Sequence, residues 1–279
     1  MDAVNAAMSR FFDALWAPFG ALPLWVGVLV LGIAFGVLAL LAMKYTTNQK
    51  RVERYKDRYQ GHILAIKLFR DSFGVVIASL VKTLAWVGAY LTEQFKPMFV
   101  MLVPFVLLFG QLMMRAGFTP LPLGEKTLLT VEMAADRSPL DVKVELPSGV
   151  EAAGPAIREP SRHRLIVPIV ARAAGVHALK FDCGGPVVEK TLHAGPMDGT
   201  PMVSPVRSQD FWDRVLYPGE PAFGAGSPIE KIELHYPVRP LSVLGLDLSF
   251  GSEIGLMLTF VVVTIVAAFA LKGVFGVTI

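Results

Sequence analysis

Residues 24–43 read LWVGVLVLGIAFGVLALLAM: twenty residues without a charge, twelve of them Leu, Ile, Val or Phe. A helix of that length covers the ~30 Å of hydrocarbon in a bilayer, so the stretch predicts a transmembrane helix. A cleaved signal peptide would carry a basic start and a shorter apolar core. Here Asp2, Arg10 and Asp13 lie upstream and Lys44 opens a basic run, which predicts a retained anchor. Upstream, residues 1–23 place Phe11, Phe12, Leu15, Trp16 and Phe19 on an amphipathic helix.

Downstream, residues 44–73 hold eight basic side chains (Lys44, Lys50, Arg51, Arg54, Lys56, Arg58, Lys67, Arg70) against three acids. The positive-inside rule places this run in the cytoplasm and the N-terminus outside. Two further uncharged spans follow. Residues 98–114 carry ten strong apolar residues and stop at Arg115, so 98–115 is expected to be the second membrane helix. Residues 254–271 carry eleven and end at Lys272, which makes 251–279 the third helix with a short cytoplasmic tail. Residues 75–91 are ambiguous. Eight apolar residues contribute about −2 to −5 kcal/mol to insertion, against roughly +2.5 to +3.5 kcal/mol for a central Lys82. Ser79, Lys82, Thr83, Trp86 and Tyr90 recur at helical spacing, so residues 44–97 are expected to form a basic cytoplasmic hairpin and an interfacial helix. A four-span topology, which inverts the chain beyond this point, is the alternative.

Residues 116–250 are expected to form a separate β-rich domain with a linker, since between Glu125 and Phe250 the period changes from helical to alternating. Val142, Val144 and Leu146 alternate with Lys143 and Glu145, and His177, Leu179 and Phe181 alternate with Ala178, Lys180 and Asp182. With further strands over 127–133, 165–170, 187–192 and 229–236, and turns at 147–149 and 184–186, the pattern predicts an extracytoplasmic β-sandwich-like domain. Residues 195–228, rich in Gly and Pro, are expected to be a surface linker with one short helix over 209–216 capped by Ser208. The fold class is therefore membrane α-helical, with amphipathic and cytoplasmic helices and an inserted β domain.

A composition of 53% hydrophobic and 18% charged residues, with mean hydropathy +0.54, agrees with an integral membrane protein. A net charge of +3 is too small to indicate nucleic-acid binding. A single cysteine, Cys183, excludes an internal disulfide and a cysteine metal cluster, and His62, His163, His177, His193 and His235 have no metal spacing. No phosphate loop, nucleophile elbow or zinc-protease motif is present, so the expectation is a protein that is not an enzyme and uses neither metal nor cofactor.

Val52, Tyr55, Tyr59, His62, Ile66, Phe69 and Phe73 form a 3–4 stripe on the basic helix, suited to a helical hairpin or coiled coil. The basic face of Lys50, Arg51, Arg54, Lys56 and Arg58 is a second candidate surface, for anionic headgroups, a ribosome or a partner. Gly32-Ile33-Ala34-Phe35-Gly36 is a small-xxx-small pattern that admits a second helix closely. Gln111 and Arg115 lie four apart in the second span, share a helix face, and are expected to point into the bundle or its mouth.

Three spans with an external N-terminus, a basic helical segment between the first two and a cytoplasmic C-terminus resemble the minimal plan of the YidC/Oxa membrane-protein insertase superfamily. The basic run Lys44-Tyr45-Thr46-Thr47-Asn48-Gln49-Lys50-Arg51 and Phe118-Thr119-Pro120-Leu121 after the second span add to this. Val274-Phe275-Gly276 after the third looks like the short eukaryotic branch found in endoplasmic-reticulum insertase complexes and its prokaryotic relatives. The resemblance covers residues 11–121 and 252–279. It does not extend to the β insertion, and the first span lacks the charged groove residue of the bacterial branch, for which Lys44, Lys82 and Arg115 are candidate substitutes. The resemblance implies a polar groove, open to the cytoplasm, that eases polar segments of nascent membrane proteins across the bilayer, with Gln111, Arg115, Lys82 and Lys44 as groove candidates. Its expected partners are the lipid bilayer, nascent membrane proteins, the ribosome and other membrane-complex subunits, in a bacterial inner membrane. A non-catalytic, membrane-anchored β-sandwich accessory subunit of an envelope complex remains the alternative.

Overall fold

The computed structural model describes residues 2–19, 22–135, 137–140, 142–184, 187–197, 201–224, 226–243, 246–248 and 253–277. The chain divides into two compact units. One holds residues 28–105 and 260–279 and is helical; the other holds residues 1–27 and 106–259 and contains the sheets. Among the described residues six α-helices occur: α1 (Asp2–Trp16), α2 (Leu24–Thr46), α3 (Gln49–Leu68), α4 (Phe73–Leu112), α5 (Phe211–Leu216) and α6 (Glu253–Phe275). Three stretches among them are long and apolar enough to cross a membrane: Leu24–Thr46, Phe73–Gly117 and Ile254–Phe275.

In the helical unit, α2 and α6 approach closely because two glycines leave room. A Cβ on Gly32 would lie 2.7 Å from Val263 Cγ1, and one on Gly36 would lie 2.9 Å from the Thr264 carbonyl oxygen. The small-xxx-small pattern thus serves contact within the chain. Phe35, Phe105 and Phe260 close a triangle of rings with centroids 5.7, 5.9 and 6.2 Å apart, tying α2, α4 and α6 together.

Thr47 and Asn48 turn the chain from α2 into α3, with the Asn48 side chain accepting from the Arg51 amide at 3.2 Å. The interfacial helix over 75–91 and the separate span over 98–115 are in fact one helix of 40 residues, with Pro97 and Pro104 inside it. A proline removes one backbone bond and crowds the preceding turn, but apolar helices tolerate it where neighbouring groups compensate. The helix therefore runs on across the expected boundary between residues 97 and 98. At about 1.5 Å per residue, α4 is roughly 60 Å long, twice the hydrocarbon thickness.

The second unit contains a mainly antiparallel β region. Its six-stranded sheet joins β1 (Lys126–Met133), β3 (Val150–Ala152), β4 (Ile157–Glu159), β5 (Arg164–Ala171), β8 (Val206–Ser208) and β9 (Ile229–Leu234). A second sheet joins β2 (Lys143–Glu145), β6 (Gly175–Asp182) and β7 (Val188–Ala194), and β10 (Ser242–Val243) pairs with β11 (Leu246–Asp247). Register follows the side-chain alternation: Leu129 opposes Val167 and Leu234, and Val131 opposes Leu165 and Ile232, all buried. β3 and β4 both pair with β5, and the gap between them falls opposite Val167 and Pro168. Proline has no N–H to donate there, so the neighbouring strand is interrupted at that point.

Residues 195–228 are not a surface linker. Within the described part, β8 hydrogen-bonds along β9, and Val203, Ser204, Val206 and Ser208 are buried. The short helix is capped by Asp210, whose carboxylate accepts from the amides of Trp212 and Asp213; Ser208 instead accepts from the Asp210 amide. Of the two predicted turns, Gly149 and Gly184 adopt positive φ, whereas residues 185 and 186 lie outside the described residues.

Gly36→Val should destabilise the protein by about 2 kcal/mol, because the extra carbons meet the α6 backbone. Gly88→Ala, which meets nothing within 4 Å, should be neutral or stabilising by up to about 1 kcal/mol. Thermal unfolding in detergent should separate the two variants in that order.

Candidate functional site

The basic helix α3 folds back on the first half of α4 as an antiparallel hairpin. Val52 is fully buried, Tyr55 meets Trp86 at 5.7 Å and Tyr59 meets Tyr90 at 6.1 Å between ring centroids. The Arg58 guanidinium lies 4.7 Å over the Trp86 ring. Glu93 is buried and receives Lys96 Nζ at 2.7 Å and Arg51 Nη1 at 3.7 Å, so the one acid on this seam is neutralised from both helices. The polar stripe of α4 faces α3: Ser79 is buried and Thr83, Trp86 and Tyr90 are partly buried. The apolar stripe of α3 packs from Val52 to Ile66, but Phe69 and Phe73, at the tip, are exposed.

With its polar side occupied, α4 turns an apolar side outward. Ile77, Val81, Leu84, Leu91, Phe95, Phe99 and Leu102 follow one another at three- and four-residue steps, with one seven-residue step across Gly88, and are all exposed, Leu84 by 65% and Phe99 by 64%. Between Ile77 and Leu102 this stripe runs roughly 38 Å. Of the anticipated site residues, Lys44, Lys50, Arg51, Arg54 and Arg58 are exposed on α2 and α3, Lys56 is partly buried, and Lys82 is exposed beside the stripe. No hint of the outward stripe came from hydropathy alone. The signal that identifies it is the 3–4 spacing from residue 77 to 84 that resumes in phase from residue 91 to 102, past Gly88 and without a break at Pro97.

Gln111 and Arg115 belong to the other unit and come together there. Arg115 lies in a π-helical turn, Met113–Gly117, that ends the long helix, and it is 2% exposed. Its Nη1 donates to Gln111 Oε1 at 2.7 Å, while its Nη2 donates to the Ser9 carbonyl at 3.2 Å and to the Asp13 carboxylate. Gln111 Nε2 donates to Ser9 Oγ at 3.1 Å, and Phe12 lies under the guanidinium with its ring centroid at 5.9 Å. Arg115 therefore does not extend toward solvent; α1 covers the pair and satisfies it. Lys44 and Lys82 lie in the helical unit and are not part of this cluster.

A second buried polar cluster sits in the β region. Lys190 is fully buried, donating to the Ser204 carbonyl at 2.7 Å and to Glu220 Oε2 at 2.5 Å; Glu220 Oε1 accepts from the Thr191 amide. Burial pushes the Lys190 ammonium below its ordinary pKa, with Glu220 opposing the shift. Glu220 and His193 line a cavity of about 220 Å³ with Thr191, Met202, Ser204 and Gly219. His193 is lowered as well, first by burial, with Glu220 raising it and Lys190 lowering it further. Its buried Nδ1 has no hydrogen-bond partner among the described residues. No group of three or more His, Cys, Asp or Glu side chains able to hold a metal occurs among the described residues.

Two outcomes follow from these clusters. Arg115→Ala leaves Gln111 Oε1 and the Ser9 carbonyl short of a donor in a closed site and should cost about 3 kcal/mol. Asp13→Asn, at a side chain 67% exposed, should cost much less; equal losses in denaturant melts would contradict this account of the clamp. For His193, the folded-state pKa lies below the unfolded value of 6.5. The unfolded chain therefore binds more protons in that window, and stability is lost as pH falls from 6.5 through the folded value. His193→Gln should flatten the dependence of Tm on pH between pH 8 and 5.

No family model, no curated protein and no solved structure matches the chain.

Proposed function

We propose that the protein is a factor for inserting or assembling other membrane proteins, working without covalent chemistry, in the manner of the insertase superfamily that its span order and hairpin resemble. The observation that supports this most is the outward apolar stripe of α4. A single crossing covers only ~30 Å of helix, whereas α4 is about twice that length and exposes apolar side chains from Ile77 to Leu102. Some of that stripe extends beyond what one crossing covers, where a client's hydrophobic segment, itself in search of burial, is its natural complement. The basic residues Lys50, Arg51, Arg54, Lys56 and Arg58 on α3 supply attraction for acidic flanks of the client or for anionic headgroups. In this reading the hairpin lies in the cytoplasm, the β region outside, and the client slides along α4 while its polar flanks are handled by α3. Gln111 and Arg115 hold α1 in place during that process, and a polar groove at this point opens only when α1 leaves.

A second reading, a membrane-anchored β-sandwich serving as an accessory subunit, is supported by exposed apolar side chains on the sheets, Leu128 at 52%, Ile157 at 54% and Val176 at 58%.

The two readings separate in one experiment. A photo-crosslinking amino acid at Leu84 or Phe95 should form adducts with ribosome-bound nascent chains carrying a single transmembrane segment, and the same group at Glu53 should not. Leu84→Glu should reduce insertion of that segment into proteoliposomes several-fold while leaving Tm unchanged. Adducts confined to Leu128 and Val176, with normal insertion by Leu84→Glu, would overturn the insertase reading in favour of the accessory one.

A further inference from the structure

Helix α5 has two unlike sides. On the polar side Asp213 pairs with Lys231 at 3.3 Å, and Asn5 of α1 donates to the Arg214 carbonyl at 3.0 Å. On the other side Phe211 and Trp212 are 52% and 63% exposed and meet edge to face at 5.3 Å, with Leu216 37% exposed one turn on. A soluble sheet protein rarely presents two adjacent large aromatics to water on a helix that its own carboxylates hold rigid.

The position of α5 identifies what covers them. A Cβ on Gly110 would lie 2.5 Å from the Val215 carbonyl oxygen and 3.1 Å from that of Leu216, so the end of α5 rests on the α4 backbone at that glycine. Gly110 is seven residues before Gly117, where the apolar helix ends, which is about 10 Å inboard along the helix axis. Beside this contact lies a cleft of about 150 Å³ lined by Phe109, Met113, Leu216, Tyr217, Ile254 and Met257. Its walls are the last turns of one stretch able to cross a membrane, the first turns of another, and the end of α5. Aromatic rings with a polar edge favour the headgroup boundary, and interfacial helices settle roughly 5–10 Å into it. Depth, apolar lining and aromatic exposure coincide on lipid as the occupant.

We propose that α5 is a membrane-interface anchor: Phe211 and Trp212 insert at the headgroup–acyl boundary of the leaflet beside the β region, and the adjoining cleft receives a lipid acyl chain. The six-residue helix buries too little to hold a membrane alone; it sets the height of the β region against lipid while the long helices supply attachment. This is independent of what the α3–α4 hairpin binds.

The test uses the full chain with Cys183→Ser, Trp212→Cys labelled with the environment-sensitive dye NBD, in nanodiscs of phosphatidylcholine and phosphatidylglycerol. A doxyl group near the headgroup end of the acyl chain should quench more than half of the fluorescence, and one at carbon 12 should quench less. Dye at Ser148→Cys, on an exposed turn, should respond to aqueous iodide and to neither lipid quencher. Phe211→Cys provides the same readout if the first variant does not fold. Iodide quenching at 212 equal to that at 148 would overturn the proposal. Protection from both iodide and lipid quenchers would overturn it too, assigning the face to a protein or a second copy of the chain.

Discussion

Hydrocarbon gives apolar helices no reason to associate, since a lipid tail covers leucine as well as another leucine does. The helical unit depends on what remains, which is closeness. Gly32 and Gly36 bring α2 and α6 within reach of backbone atoms, and three phenylalanine rings extend the contact to α4. Dispersion between surfaces packed this tightly is small per atom and large in sum. The hairpin is held to this frame by covalent continuity through Thr47 and Asn48 and by the long α4, so its placement inherits the packing of the bundle.

Among the described residues three charged side chains, Glu93, Arg115 and Lys190, are buried, and each is satisfied differently. Glu93 has cations from two helices, Arg115 has one carboxylate and one carbonyl from α1 and the Gln111 amide oxygen from α4, and Lys190 donates to Glu220 and to a backbone carbonyl. Buried ions add little net stability when paired, but they punish any arrangement that leaves them unpaired. They therefore specify which helix or strand neighbours which more than they strengthen the fold. Arg115 does this for α1, an otherwise marginal amphipathic helix.

Much of the fold was legible in the sequence because hydropathy and period report burial directly. The first and third spans and the strands over β1, β5, β6, β7 and β9 follow from apolar runs and alternation. What was not legible depended on partners distant in sequence. α4 appeared divided because Lys82 and the polar stripe of Ser79, Thr83, Trp86 and Tyr90 look unfavourable in isolation, yet α3 covers Ser79, Thr83, Trp86 and Tyr90. β8 was hidden in a Gly- and Pro-rich stretch because three residues carry too little period to register. For the site, the pairing of Gln111 with Arg115 was legible from their four-residue spacing, whereas their enclosure by Ser9 and Asp13 was not, since nothing local links residues more than one hundred apart.

The unbroken α4 also has a mechanical consequence. An α-helix is stiff over tens of ångströms, and one twice as long as the ~30 Å a bilayer crossing needs can act as a lever. A tilt of about 10° inside the membrane then swings the far tip by roughly 5 Å, a displacement comparable to one helical turn. Pro97 lies inside the 40-residue helix and leaves the carbonyl four residues earlier without its usual donor, which makes this the kind of point at which a helix bends. A load on the tip is thereby converted into torque on the part of the helix packed against α2 and α6.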